Sequence, residues 1–194
     1  SPASLSWTKE EVHAFYGRMR NGQRITTTQV PVEEFRRVFT KYLADGQDIV
    51  YIACSSKQSG SVNTARVVSE ELLKDYPGAS VYCVDSLNAC LGEGALAIEA
   101  AKLAETGIGA EEVFKKVQAM RKRVNEYCTV HSLEFLRRAG RVKGPAAFFG
   151  NLMGVKPIIV ADADGAQAAF KKVKGRQASF REIVALLKES IVNP

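Results

Sequence analysis

Two short runs of almost wholly apolar residues, separated by a helical pattern, restrict the fold of this chain more than any other feature. The runs are DIVYIAC (48–54) and ASVYCVDS (79–86), and such runs are typical of strands buried on both faces of a parallel sheet. Between them, Ala65, Val68 and Leu72 recur at helical spacing. A strand, a helix and a second strand in this order predict a right-handed crossover and an α/β fold.

Two helices are predicted before the first strand. Thr8 and Glu11 form a capping-box pattern at the start of the first helix. The second helix follows Pro31, a residue that is favoured at the first position of helices. Its apolar residues repeat at helical spacing and predict a buried face, which consists of Phe35, Val38, Phe39 and Tyr42.

The remaining pattern predicts a third strand and then a second lobe. Helices at 94–105 and 110–124 lead to EYCTVHS (126–132), which we assign to the same parallel sheet. We therefore expect an α/β lobe over residues 1–131 and part of a smaller second lobe over residues 132–194.

The second lobe is predicted to contain helices and a β-hairpin. The hairpin consists of VKPIIVA (155–161) and AQAAFKKV (166–173), joined by the turn sequence DADG. After it, Ser179 and Glu182 form a second capping-box pattern, which predicts that Ser179 caps the helix FREIVALLKES (180–190).

Hydroxyl side chains are concentrated in two loops that each precede a helix. CSSKQSGS (54–61) follows the first apolar strand, and TTTQ (26–29) precedes the second helix. Asp85 ends the next strand, and we expect the three segments to meet at the carboxyl edge of the sheet, where α/β folds place their ligands. Hydroxyl groups at the positive end of a helix suit an anion, and a single carboxylate suits them better than a phosphate. Simple helix capping by these serines and threonines remains an open alternative.

Two other functions are weighed. A serine hydrolase would use Ser56 or Ser59, but the loop has no G-x-S-x-G pattern, and the bases available are His13 and His131. The net charge of +6 also allows a nucleic-acid-binding module. We expect no nucleic acid as partner, because no aromatic residues are interleaved with the basic clusters.

The composition predicts a cytoplasmic protein without a membrane-spanning segment. The sequence contains no apolar run of the length that a transmembrane helix needs, and SPASLSWTKEEV is unlike a secretory signal. The four cysteines, Cys54, Cys83, Cys90 and Cys128, have no metal-like spacing. We interpret them as reduced thiols, and we expect no metal.

Several segments together resemble the DegV family, the bacterial fatty-acid-binding proteins. They occur in the family order and extend from residue 27 to residue 176. The segments are TTQVPVEEF (27–35), SSKQSGSVNTA (55–65), VDS (84–86), LEFLRRAGRV (133–142), GNLMGVKPI (150–158) and KKVKGR (171–176).

The resemblance implies a two-lobed carrier that encloses one long-chain fatty acid, of the palmitate, stearate or oleate type, and that is not itself an enzyme. By that resemblance, Thr27 and Ser59 hold the carboxylate. A separate ATP-binding fatty acid kinase subunit would phosphorylate the presented acid, and transient contact with a membrane surface is a further expectation. The secondary candidates are Thr28, Ser56, Gly60 and Asp85 for the ligand, and Arg141 and Arg176 for a partner or phosphate.

The sequence departs from the family pattern in several places. The N-terminal strand of the family and its C-terminal segment, with a histidine of the carboxylate clamp, are not in the sequence. Gln58 replaces a leucine of the family motif beside the carboxylate, and Ala139 replaces a glycine. Candidate residues for the wall of an acyl pocket are Phe148, Phe149, Leu152 and Met153.

Overall fold

The computed structural model describes residues 6–131, 140–143 and 154–191. Its helices, in chain order, are α1 (Lys9–Arg20), α2 (Val32–Ala44), α3 (Ser61–Leu72), α4 (Cys90–Glu105), α5 (Ala110–Met120) and α6 (Arg176–Ser190). A short 3₁₀ helix, Arg121–Arg123, follows α5. The strands are β1 (Ile49–Ala53), β2 (Val81–Asp85), β3 (Tyr127–Thr129), β4 (Val142–Lys143), β5 (Val155–Ala161) and β6 (Gln167–Lys174).

The first sheet consists of β1 and β2, which are parallel and connected through α3. Their register extends from Ile49 opposite Val81 to Ala53 opposite Asp85. Both predicted apolar strands are confirmed, and so is the helix between them. The carboxyl ends of both strands therefore lie at one edge, where the loop after β1 and the residues after β2 are neighbours.

Each face of this sheet is covered by a pair of helices. On one face, Phe35 and Phe39 of α2 pack with Ala65 and Val68 of α3. On the other face, a second cluster joins α4 and α5, and its buried members are Val84, Leu96, Ala100, Val113 and Val117. Since alternate residues of β1 join the two clusters, the sheet is enclosed from both sides.

The buried face of α2 differs from the prediction at one position. Tyr42 is 40% exposed, whereas Leu43 is buried. Phe35, Phe39 and Leu43 are four residues apart, so they align along one side of the helix. Tyr42 falls outside this line, and its ring lies 5.4 Å from the Lys41 ammonium.

The second sheet has the strand order β3, β5, β6 and β4. The antiparallel β5–β6 hairpin confirms the predicted one. The assignment of 126–132 to the first sheet is wrong, because β3 pairs antiparallel with β5, with Cys128 opposite Ile159. An apolar run identifies a strand, but it does not identify the strand with which it pairs.

The capping box predicted at Ser179 is also wrong. Helix α6 begins at Arg176, four residues before the predicted start at Phe180, and Gly175, with a φ of 91°, turns the chain directly from β6 into the helix. The Ser179 hydroxyl donates to the Arg176 carbonyl at 2.7 Å. Glu182 accepts a hydrogen bond from Lys171 of β6 at 2.7 Å instead of returning to a cap.

The architecture is therefore α/β, with a parallel sheet between helix pairs and a second, mixed sheet against which α6 packs. The division into lobes at about residue 131 stays a prediction. Across the described ranges, no helix combines the length and the apolar content that crossing a bilayer requires. All four cysteines are free; Cys90 is exposed and the other three are half-buried.

Candidate functional site

The two hydroxyl-rich loops line a single pocket of about 360 Å³. One loop connects α1 to α2, and the other connects β1 to α3. The lining residues are Thr27, Thr28, Gln29, Ser56, Lys57, Gln58, Ser59, Gly60 and Arg141. The structure thus brings together the two principal candidates, Thr27 and Ser59, although 31 positions of sequence separate them.

Direct contacts hold the first loop against the start of α3. The Val30 amide donates to Ser61 Oγ at 3.1 Å, and Gln29 Nε2 donates to Thr64 Oγ1 at 3.0 Å. A Cβ on Gly60 would lie 2.0 Å from Gln29 Oε1. Gly60 therefore permits the close approach of the loop that carries Thr27.

Ser59 is positioned by Ser61 with its hydroxyl in the pocket lining. Its Oγ lies 2.9 Å from Ser61 Oγ and accepts from the Ser61 amide at 3.2 Å. Ser61 Oγ already accepts from Val30, so its own proton is available for Ser59. In that arrangement the Ser59 proton is left for a ligand oxygen.

Asp85 stabilises the loop between β1 and α3 through its side-chain carboxylate. Its Oδ1 accepts from the Ser56 amide at 3.2 Å and from the Leu87 amide at 3.1 Å. Its backbone carbonyl accepts from Arg121 Nη1 at 2.8 Å. Asp85 is buried and is not part of the pocket lining, whereas the other secondary candidates Thr28, Ser56 and Gly60 are.

The turn of the β5–β6 hairpin also contacts the second loop. Gln58 Nε2 donates to the Gly165 carbonyl at 3.4 Å. A Cβ on Gly165 would lie 2.4 Å from Ser55 Oγ and 2.8 Å from Leu87 Cα. The DADG sequence predicted a turn only. Nothing in its residues indicated that Gly165 would contact Gln58, which is 107 positions away in the sequence.

The pocket has a positive electrostatic character. Lys57 and Arg141 line it, and no aspartate or glutamate is among the described lining residues. Arg141 Nε donates to the Gln58 carbonyl at 3.3 Å. The amino end of α3 also faces this region, and its aligned peptide dipoles favour an anion. Sequence reasoning missed Lys57, whose only signal was its place inside the hydroxyl loop.

Arg176 does not join this pocket. It lines a separate cavity beside β3 and β5, so the structure does not bring the two arginine candidates together. The four predicted wall residues, Phe148, Phe149, Leu152 and Met153, lie outside the described residues.

The described lining of the pocket contains no histidine that could act as a base for a serine nucleophile. Neither histidine of the chain lines it: His13 is exposed on α1, and His131 lies near Lys156. The Ser59 hydroxyl lies 2.9 Å from the Ser61 hydroxyl, which is not a base. Burial raises the pKa of the neighbouring Cys54 thiol to about 11, so this thiol is protonated at neutral pH.

Two carboxyl groups near the carboxyl ends of β1 and β2, those of Glu93 and Glu126, have raised pKa values. Burial raises the pKa of Glu93, against a hydrogen bond from the Cys54 backbone, and the Glu126 carboxylate raises it further. Burial likewise raises the pKa of Glu126, which accepts from the Ala89 amide at 2.9 Å. Within the described ranges, no set of three or more acidic, histidine or cysteine side chains has a metal-binding arrangement.

Comparisons with known proteins point to one family. The profile described as "Uncharacterised protein, DegV family" matches residues 7–194. A DegV domain-containing protein of Clostridium perfringens is 37% identical over 181 residues, which are 93% of this chain and 62% of that protein. The chain thus spans about 62% of the length of such curated relatives.

Solved structures agree with this match. A DegV family protein from Thermus thermophilus, described as binding fatty acid, superposes with a TM-score of 0.78 at 30% identity. The match covers 91% of this chain and 61% of the other. A stearic acid-binding protein from Eubacterium ventriosum superposes with a TM-score of 0.82 at 26% identity, over 96% of this chain and 63% of the other. The chain belongs to the DegV family.

Proposed function

We propose that this chain binds a long-chain fatty acid and that the pocket between the two hydroxyl loops receives its carboxylate. Thr27 and Ser59 donate hydrogen bonds to the carboxylate oxygens. The observation that carries this proposal is that Thr27 and Ser59, from separate loops, line one pocket whose described lining contains no acidic residue. Solved relatives that bind fatty acids support the choice of ligand.

The energetics of such a complex divide between the acyl chain and the head group. Each buried methylene contributes about 0.8 kcal/mol, so the acyl chain supplies most of the affinity. The carboxylate must still exchange its water for donors, because an unsatisfied buried charge is costly. Thr27, Ser59 and the positive end of α3 supply these donors, and Lys57 and Arg141 offset the charge.

The ligand is of the palmitate, stearate or oleate type, and the chain carries it without transforming it. Among the described lining residues, no serine or threonine hydroxyl is paired with a base, which supports a carrier over an enzyme. A separate ATP-binding kinase would phosphorylate the presented carboxylate. Arg141, at the pocket, would contact that partner or the transferred phosphate. We also propose a cytoplasmic location, with transient contact with a membrane surface during loading.

Substitution of the two hydroxyls tests the carboxylate site. Thr27→Val and Ser59→Ala each remove one hydrogen bond to a charged group, which contributes about 1.5–3 kcal/mol. We expect each variant to bind palmitate about 10- to 100-fold more weakly in a calorimetric titration. Thr26→Val and Ser80→Ala are matched controls, since neither residue lines the pocket.

Unchanged palmitate affinity in both pocket variants would refute the assignment of the carboxylate site. The carrier role has its own test, in which the loaded chain is incubated with ATP. Acyl phosphate should form only after an ATP-binding kinase is added, and its formation by the chain alone would contradict a carrier.

A further inference from the structure

A second cavity lies between β3, β5 and the first turn of α6. Its volume is about 110 Å³, and it shares no lining residue with the pocket of the hydroxyl loops. Its polar lining side chains come from Thr129, His131, Lys156, Arg176 and Ser179. Two cations and no carboxylate are thus present among the described residues of its wall.

Lys156 is a buried cation that has no acidic partner among the described residues. It is 9% exposed, and its ammonium donates to the His131 carbonyl at 2.8 Å. His131 Nδ1 lies 3.4 Å away. No ion pair of Lys156 is found in the part of the chain that the structure describes. Because buried charges are ordinarily paired, this ammonium calls for an anion.

The Thr129 hydroxyl is buried and has no hydrogen-bond partner among the described residues. Buried hydroxyl groups almost always have one. The Ser179 hydroxyl, on the same cavity wall, donates to the Arg176 carbonyl and makes no hydrogen bond with Thr129 in the described residues. The cavity wall thus has an unused donor besides its buried ammonium.

Arg176 completes the wall at the amino end of α6. Its guanidinium lies 5.3 Å from the centre of the Phe180 ring, which fixes its position. Helix α6 has 15 residues and no side-chain cap, since Gly175 precedes it. The positive end of its dipole therefore adds to the two cations.

We infer that this cavity binds a phosphate group, held by Lys156, Arg176 and the Thr129 hydroxyl. A volume of about 110 Å³ accommodates three or four water molecules at about 30 Å³ each, which suits one tetrahedral oxyanion but not a nucleotide. The phosphate is either the free ion or the terminal group of a small phosphomonoester. This inference does not depend on fatty-acid binding at the other pocket.

Calorimetric titration of the 194-residue chain with inorganic phosphate, at constant ionic strength, tests the inference. We expect saturable binding of one phosphate. Arg176→Gln and Thr129→Val should each weaken it by about tenfold or more, because each removes one hydrogen bond to a charged group. Arg181→Gln is the matched control, since it removes the same charge from an exposed position on the same helix.

The outcomes separate the inference from its alternatives. No saturation, or equal weakening by Arg181→Gln, would overturn it, because general charge attraction would then explain the binding. A parallel titration with glycerol 3-phosphate identifies the source: equal affinity indicates a terminal phosphate group, and binding of the inorganic ion alone indicates free phosphate. Thr27→Val should leave phosphate affinity unchanged, so failure of the fatty-acid proposal remains distinguishable.

Discussion

At the scale of single residues, Gly165 links the hairpin of the second sheet to the loop that carries Ser59. Its φ is 83°, and any Cβ would meet Ser55 Oγ and the Leu87 backbone. Gly107 has nearly the same φ, 84°, but has open space around it. The two glycines therefore share a backbone conformation and differ only in their surroundings.

We predict that Gly165→Ala destabilises the protein more than Gly107→Ala does. Both variants incur the cost of a positive φ, about 1–2 kcal/mol. Only Gly165→Ala adds steric overlap, which typically costs about 1–3 kcal/mol. Chemical denaturation measures the difference between the two variants, and equal losses would show that the hairpin does not press against the loop.

Glu93 provides a pH-dependent test at the same scale. Burial raises its pKa above the ordinary value of 4.5. The stability associated with a raised pKa is fully present below the unfolded pKa and is lost as pH rises through the folded one. Glu93→Gln should therefore raise the melting temperature at neutral pH, with a benefit that shrinks as the pH falls toward about 4.5 and is absent below that value.

The control for this prediction is Glu105→Gln, which removes an exposed carboxylate from the same helix. Melting curves from about pH 4 to pH 8 should give a pH-dependent difference for Glu93→Gln only. A constant difference across this range would contradict the assigned effect of burial.

At the scale of elements, α4 separates core from surface within two turns. Leu96 is 1% exposed and belongs to the cluster with α5, whereas Leu91 is 86% exposed. Leu96→Ala should lower the free energy of unfolding by about 2–5 kcal/mol, because it leaves a cavity. Leu91→Ala should change it by at most about 0.5 kcal/mol. Similar losses in urea denaturation would mean that α4 packs differently.

The elements also show what a sequence can predict. The strands β1 and β2 follow from their apolar runs, and the hairpin follows from its turn residues. The pairing of β3 with β5 does not follow, because register depends on distant residues such as Ile159. The spacing of Ser179 and Glu182 is that of a capping box, but the helix begins earlier, after Gly175, whose φ is positive. Local pattern does not determine such a boundary.

At the scale of the whole molecule, the candidate site depends on segments that are far apart in the chain. Thr27 and Ser59 could be named from motif resemblance, and the parallel sheet predicted that the Ser59 loop would lie at the carboxyl ends of the strands. The contributions of Lys57, Arg141 and the Gly165 turn required the folded chain, since they arise from contacts between distant segments. Local pattern indicated the hydroxyl groups of the candidate site, and tertiary contacts add its basic groups.

The central claim is that the pocket recognises a carboxylate, and the most direct test compares palmitate with its methyl ester. The two ligands share the acyl chain, but the ester carries no charge. In a calorimetric titration of the chain, we predict saturable binding of palmitate and binding of the methyl ester that is at least about tenfold weaker. Equal affinity for both ligands, or no binding of palmitate, would contradict the account.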